Sequence, residues 1–485
     1  MILGWGKLFS SFDSQAKNIG LAQNMAHFRK QTPIPASQQE LYNWHASGGA
    51  FSRLAPPWEQ IEIVEWRGGV NTQHEKPSKQ FGDISQDAQV ILRTKVGPIW
   101  QTMHAKHVAH KKPEMFTDVM LKGPFAHWEH NHRFVSVDAT NSILDDEIEY
   151  KLPFSPLSDW IAGGFVHRKL EKMFRYRHRR TLHDLEQKMK YDTTPKKIAV
   201  TGASGLVGSE LCSFLRGMGH DVYTVSRKKE DSGKKILSFD SIHAWEGFDA
   251  VVHLAGEPIA ERWSEEKKLR IQNSRAQLTH RLSVLLSKLK SPPKVFISAS
   301  AIGFYGDRND DEITEESKAG SGFLSQVCQQ WEKAAEPARE RGIRCVHPRI
   351  GMVLTPKGGA LKKMLLPFQM GAGGPVGSGQ QWMSWVSLDD LIDLLYFSIQ
   401  NSQVSGVINA TAPNPVRNKD FGTALGKALS RPAFMPLPSF MVRLLFGEMG
   451  QALLLEGARV LPQKAQDLGF TFSHPTLDVC FQDIL

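Results

Sequence analysis

Between Thr201 and Gly208 the chain reads TGASGLVG, directly after the apolar run KIAV. A glycine-rich turn between a buried strand and a helix suits one chemistry in particular. The first glycine, Gly202, permits a tight turn; Gly205 lets the backbone approach a pyrophosphate; Gly208 lets the helix lie close to the strand. The helix that opens here turns its N–H groups and the positive end of its dipole toward the phosphates. With Ala203, Ser204, Leu206 and Val207 completing the loop, this segment is expected to hold a dinucleotide. The end of the next strand, DVYTVS, bears on which one. An NAD site usually keeps an acid there for the ribose hydroxyls, whereas this chain offers Ser226, Arg227, Lys228 and Lys229. Three consecutive bases and no acid fit a 2′-phosphate, so NADP is predicted, with Arg227 as its principal contact.

The elements that must position this turn can be read from periodicity. KIAV, DVYTVS, DAVVHLAG and KVFISAS are apolar runs, each followed by helical text, and CVHPRIGMVL and GVINAT close the series. Such alternation predicts an α/β unit with a parallel sheet covered by helices. Upstream, IEIVEW, QVILRTKV, HRFVSV and DEIEYKL alternate with a period near two, the mark of half-buried antiparallel strands. Val166, Leu170, Met173, Phe174, Leu182, Leu185 and Met189 then recur at helical steps. They predict one amphipathic helix of about 25 residues, hence an α+β unit whose curved sheet wraps a long helix. The expected organisation is a loose arm over 1–30, the α+β unit over 31–191 with a short helix around Ala36–His45, the α/β unit over 196–433, and a small, mostly helical cap over 434–485. The polar segment YDTTPK, 191–196, is the junction between the two large units.

A chain of 485 residues is expected to form about three such units. Its composition, 41% hydrophobic and 22% charged, excludes a disordered chain or a disulfide-stapled scaffold. The net charge of +9 is mild at this length and is compatible with a phosphate-bearing ligand. Cys212, Cys328, Cys345 and Cys480 show no metal-ligand spacing and read as reduced, buried thiols of a cytoplasmic protein. The first residues lack the order of a signal peptide, and no apolar run reaches the roughly 18 residues of a transmembrane helix. His104, His107 and His110, and then His127, His130 and His132, lie in strand text, where three-residue spacing alternates faces; no metal site is expected from them. No zinc-finger, RNA-binding or GxSxG motif occurs, so neither a nucleic-acid partner nor a serine hydrolase is expected.

From Lys196 onward, TGASGLVG, HLAGEPIAERW, SASAIGFYGDR, FLSQVCQQWE, PRIGMVL and GSGQQWMSWVSLDDL resemble the atypical, extended short-chain dehydrogenase/reductases. The likeness is to the NAD-dependent epimerase/dehydratase-like branch, some members of which carry the name cell division inhibitor. LLLEGARVLPQKAQDLGF resembles the small C-terminal domain of that branch. FSRLAPPWE, KGPFAHWEHNHRF, DDEIEYKLPFSPL and LEKMFRYRHR resemble the START-like, helix-grip cyclase/dehydrase group, which is fused ahead of the reductase in some relatives and usually encloses a hydrophobic ligand. The resemblance implies a Rossmann fold for the α/β unit. It implies that His253, Leu254, Ala255 and Gly256 pass beneath the coenzyme, that Ser298 and Ala299 also bind it, and that Ser300 is catalytic. It also implies that Pro348 and Arg349 lie in a loop beside the nicotinamide.

One family feature is missing. A Tyr and a Lys four positions apart normally follow the serine strand, the Lys lowering the pKa of a proton-passing Tyr. Here Phe323 precedes Val327 and Leu324 precedes Cys328 at that spacing. Tyr305 either approaches the nicotinamide from the neighbouring loop or packs in a structural turn. Glu257 either supplies an acid or pairs with Arg262 or Arg275. Trp382, Met383 and Trp385 read as a substrate-side lid, stacking on a ring or anchoring the lid. The leading expectation is an NADP-binding oxidoreductase or epimerase with a small-molecule carbonyl or alcohol substrate. Its front unit would hold an apolar ligand. A dinucleotide-binding regulatory module and an apolar-ligand carrier are the alternatives.

Overall fold

The computed structural model of the chain describes residues 25–68, 84–96, 99–155, 157–192, 194–225, 236–238 and 242–485. Seven strands open it: β1 (Ala26–Ile34), β2 (Ile61–Arg67), β3 (Gln89–Val96), β4 (Ile99–Lys111), β5 (Met115–Lys122), β6 (His127–Ser136) and β7 (Ser142–Lys151). They pair antiparallel in the order β1-β7-β6-β5-β4-β3-β2. Between β1 and β2 lie α1 (Gln38–His45) and α2 (Ala50–Leu54), and after β7 comes α3 (Leu157–Lys190). A reciprocal cap starts α1: the Ser37 hydroxyl accepts from the Glu40 N–H, and the Glu40 carboxylate accepts from the Ser37 N–H. Phe28, Trp128, Ile148 and Tyr150 of the sheet bury against Leu170 and Phe174 of α3.

Two expectations for this unit need correction. The strand from Ala26 occupies the last residues of the expected 1–30 arm. Its outward residues are charged and pair across the ladder, Arg29 to Asp145 at 2.7 Å and His27 to Glu147 at 2.8 Å, which made the strand read as polar text. And α3 has 34 residues rather than about 25. Leu157, Trp160, Ile161 and Phe165 in its first turns are exposed, so the stripe that meets the core starts only at Ala162 and Val166.

The second sheet uses β8 (Lys197–Thr201), β9 (Asp221–Val225), β10 (Ile236–Leu237), β11 (Ala250–His253), β12 (Val295–Ser298) and β13 (Ser300–Ala301). Later come β14 (Glu312–Ile313), β15 (Arg344–Ile350), β16 (Met352–Leu354), β17 (Trp382–Met383), β18 (Trp385–Ser387) and β19 (Gly406–Ala410). The order is β10-β9-β8-β11-β12-β15, with β13 and β19 also pairing β15, and every pairing is parallel. All four residues of β11 and of β12 are buried, as strands covered on both faces require. The covering helices include α4 (Leu206–Gly217), α5 (Glu265–Ser287), α6 (Phe323–Lys333), α7 (Glu336–Glu340) and α9 (Leu388–Gln400), while α8 (Gly359–Gln369) and α10 (Asn418–Leu429) pack beside the sheet in a core of their own. The chain runs outward from β8 to β9 and β10, then crosses back to β11. The crevice between β8 and β11 is therefore the topological switch point, where open α/β sheets bind ligands.

After α10 the chain adds α11 (Ser439–Gly450), α12 (Gln463–Asp467) and α13 (Leu477–Ile484). Leu477, Cys480, Phe481 and Ile484 of α13 share a core with Leu361, Phe368, Phe421 and Leu425 of α8 and α10. His474 locks this tail: its ring lies 2.9 Å from Asp483 and 2.9 Å from the Ser387 hydroxyl, beside buried Asp390. Burial disfavours the imidazolium, but hydrogen bonds to Asp390 and Asp483 outweigh it and push the pKa up to about 10. A raised pKa stabilises the fold fully below the ordinary value near 6.5 and loses that contribution as pH rises through about 10. The melting temperature of wild type should therefore exceed that of His474→Gln by its widest margin below about pH 6.5, about 3 kcal/mol in stability, and the gap should narrow steadily above that and close near pH 10.

The two large units share a single core, in which Trp44 and Leu41 join Phe214, Leu215 and Leu391. No helix among the described residues is long and apolar enough to cross a membrane.

Candidate functional site

At the end of β8, Gly202 has φ +69°, and a Cβ there would lie 2.7–2.8 Å from the backbone of Leu254 and Ala255. Glycine is thus what lets the ends of β8 and β11 touch. A Cβ on Gly208 would lie 2.2 Å from the Gly202 carbonyl oxygen, so the third glycine brings α4 onto the turn. Gly205 is different. Its φ of −77° and ψ of 170° suit any residue, and an added Cβ would make one contact, 3.2 Å to the Gly202 oxygen. It is the N-cap of α4 and supplies no side-chain cap to the helix. The helix thus offers uncapped donors beside a position kept bare of side chain, which is what an approaching pyrophosphate needs. The residues present fit a dinucleotide.

Thr201 and His253 sit under this turn, with 2.6 Å between the Thr201 hydroxyl and His253 Nδ1. His253 is fully buried, which pushes its pKa down to about 4 and keeps the ring neutral. It supports the cleft from within the sheet, and buried Ser298 likewise stays inside β12. Leu254, Ala255 and Gly256 do continue past β11 along the crevice, and Arg275 of α5 closes that side, donating to the Glu257 carbonyl at 3.0 Å. Ser226, Arg227 and Lys228 lie outside the described residues.

Beyond the sheet's end, Ser300 on β13 donates to Glu332 Oε1 at 2.7 Å. Arg349 grips the same carboxylate with two N–H groups, at 2.8 and 2.9 Å, and donates to the Tyr305 hydroxyl at 2.9 Å. The Tyr305 hydroxyl in turn donates to Asn409 Oδ1 at 2.7 Å. These bonds join Ser300, Glu332, Arg349, Tyr305 and Asn409 into one buried polar chain. Every member holds its neighbour's orientation.

Comparison with known proteins fits this geometry. Residues 198–410 match the model of the NAD dependent epimerase/dehydratase family. An epimerase family protein of Arabidopsis thaliana is 41% identical over 290 residues, which cover 57% of this chain and 83% of that protein. The chain belongs to the epimerase family. An epimerase family protein of Bacillus subtilis is 36% identical over 300 residues, 59% of this chain and 97% of its own length. The front unit matches the polyketide cyclase/dehydrase and lipid transport model over 34–175, and residues 437–484 match a domain of unknown function. Among solved structures, a nucleoside-diphosphate sugar epimerase of Corynebacterium glutamicum is 30% identical, with a TM-score of 0.74, covering 94% of this chain and 90% of its own. A human epimerase family protein with NADPH is 35% identical, covering 59% of this chain and 98% of its own, with a TM-score of 0.56.

Against this epimerase-family frame, several expected roles change. Tyr305 is fully buried, its hydroxyl engaged by Asn409 and Arg349, and burial pushes its pKa up, an arrangement that matches packing as part of the turn. Glu257 does not stand free as an acid. Lys267 bonds its carboxylate at 2.8 Å and holds it below the usual range, with Arg270 at 3.6 Å, while Arg275 reaches only its backbone carbonyl. Pro348 and Arg349 belong to β15, buried, rather than to a loop. Trp385 is buried with its indole donating to Asn414, and Trp382 donates to Asp310 at 2.9 Å, so both anchor the segment. Glu332 was not anticipated. It follows Cys328 by four residues on α6, and the only available signal was an acid one turn beyond the missing Tyr–Lys positions.

Proposed function

We propose that this epimerase-family chain binds NADP(H) at the Gly202–Gly208 turn and uses it on a carbonyl or alcohol carbon of a small apolar or ring-bearing molecule. Epimerisation through a transient keto form of the substrate is the variant chemistry. The observation that carries this reading is Gly205, a position whose dihedrals accept any residue and whose bare backbone faces the uncapped start of α4. When bound, the coenzyme supplies or accepts hydride. The chain's own residues would do the rest: the Gly205 end of α4 holds the pyrophosphate, Leu254–Gly256 line its path, and Arg227 with Ser226 and Lys228 meets the adenosine phosphate. Ser300 polarises the substrate oxygen, while Glu332 and Arg349 hold the Ser300 hydroxyl. Leu366, Met370, Phe434, Phe440 and Leu444 are exposed apolar side chains on or beside α8 and α11, and they support an apolar substrate. Phe154, Leu157, Trp160 and Phe165, exposed around the start of α3, support an apolar ligand for the front unit. Four buried free cysteines suit a cytoplasmic location.

The burial of Tyr305 and the engagement of Ser300 by Glu332 favour a second reading, a module that holds the dinucleotide without turning it over. A carbonyl library offered with NADPH separates the two. The enzyme reading expects NADPH consumption that Ser300→Ala removes while leaving the coenzyme Kd unchanged; coenzyme that stays reduced throughout supports the regulatory module. For coenzyme choice, Arg227→Ala should weaken NADPH binding roughly 10-fold or more, the loss of a charge-assisted contact of about 1.5–3 kcal/mol, and leave NADH nearly unaffected. Equal losses for both would remove the 2′-phosphate assignment. Lipid co-purifying with the chain, with no coenzyme uptake, would favour the carrier.

A further inference from the structure

The histidines of the front unit do converge, contrary to the three-residue spacing that argued against it. His130 and His132 are two residues apart on β6 and so share a face, and Asp118 on β5 sits opposite His130 in the ladder. Asp118 Oδ1 lies 3.6 Å from His130 Nδ1 and 3.3 Å from His132 Nε2. The longer distance is outside hydrogen-bond range. Both are close to the edge of a tetrahedron around an ion with bonds of 2.0–2.1 Å, about 3.4 Å, and longer than the octahedral edge of about 2.9 Å for the same bonds.

The far sides of the two rings meet one acceptor. His130 Nε2 is 3.1 Å and His132 Nδ1 is 2.6 Å from Asp146 Oδ1 on β7. Asp146 is itself held through Oδ2 by His178 of α3, at 2.8 Å, and His178 reaches the Thr32 hydroxyl at 2.9 Å with its other nitrogen. Asp146 accepts from His130 Nε2, which sets that ring's tautomer and leaves the lone pair of His130 Nδ1 facing Asp118, while His132 Nδ1 lies beside the same carboxylate without a hydrogen bond and turns Nε2 toward Asp118. Phe116 stacks on the His132 ring at 4.1 Å and walls one side. Asp118 and His132 keep 16% and 12% side-chain exposure, so the cluster is not sealed from solvent, which would supply a fourth ligand.

We propose that Asp118, His130 and His132 bind one divalent transition-metal ion in tetrahedral geometry, with Zn2+ the best match for two imidazoles and one carboxylate. Asp146 and His178 orient the ligands. This site lies in the front unit and does not depend on the coenzyme reading.

The test uses the full chain, stripped with a chelator and titrated with Zn2+ in competition with a chromophoric chelator, with circular dichroism as the check on folding. One equivalent should bind tightly. Asp118→Asn and His132→Gln should each abolish that binding, and Asp146→Asn should weaken it roughly 10–100-fold. His104→Ala, on β4, should leave it unchanged. Should a ligand variant not fold, Co2+ added to the wild type decides: intense visible bands of a tetrahedral ion support the site. A folded wild type that takes up no Zn2+, or whose uptake survives Asp118→Asn, or whose Co2+ spectrum is octahedral, overturns it in favour of a purely proton-bridged cluster.

Discussion

Gly205→Val is expected to leave the fold intact while removing nicotinamide-coenzyme binding, a loss of roughly 100-fold or more, about 2.8 kcal/mol. Three glycines that look alike in sequence differ in what their backbones require. Gly202 is needed for its φ of +69°, and Gly208 because a Cβ would meet the Gly202 carbonyl oxygen at 2.2 Å. Substitution at either one strains the backbone, so it should lower both the melting temperature and the affinity. At Gly205 the dihedrals are ordinary, and only one neighbour must give by a few tenths of an ångström. A side chain there would instead fill the approach to the start of α4. Melting curves together with coenzyme titration of Gly205→Val and Gly208→Val check this. Affinity unchanged in Gly205→Val would mean that the bare backbone serves no ligand.

The second large effect is expected at the seam between the two sheets. Arg53 of α2 is 2% exposed, bonded to fully buried Asp184 of α3 through two N–H groups, and 3.9 Å from Glu210 of α4 and Asp389 of α9. Arg180 of α3 also bonds Asp389. Burial alone would keep Asp389 protonated, yet Arg180 and Arg53 hold its carboxyl far below the usual range. Arg53→Ala would leave Asp184 charged, buried and without its partner, a cost of about 3–5 kcal/mol. Urea unfolding should show that loss, and limited proteolysis should cut faster near the 191–196 junction. Arg53→Ala combined with Asp184→Asn should recover part of the stability, because the stranded charge is gone. A single variant as stable as wild type would show that the seam is held by apolar contacts around Trp44 and Phe214 alone.

Much of this architecture was legible in the sequence because it rests on local pattern. Apolar runs that signal strands buried on both faces became β8, β11, β12, β15 and β19, and the three glycines declared the turn between β8 and α4. What was hidden depends on neighbours distant along the chain. The alternation of β1 was masked because its charges answer Asp145 and Glu147, more than a hundred residues away. Glu332 gains its importance only when β13 and β15 bring Ser300 and Arg349 to it. Sequence left open whether Tyr305 approaches the nicotinamide or packs in a turn; what bears on it is Asn409 on β19, which offers its hydroxyl an acceptor inside the fold. The pairing of Asp118 with His130 required the register of β5 on β6, which spacing along one strand does not encode.

The most direct measurement is a titration of the folded full chain with NADPH and with NADH, followed by coenzyme fluorescence. Saturable uptake of one NADPH per chain, tighter than NADH, is the predicted result. A folded chain that takes up neither coenzyme would contradict the account at its centre, since the turn after β8 would then be a close packing of backbone and nothing more.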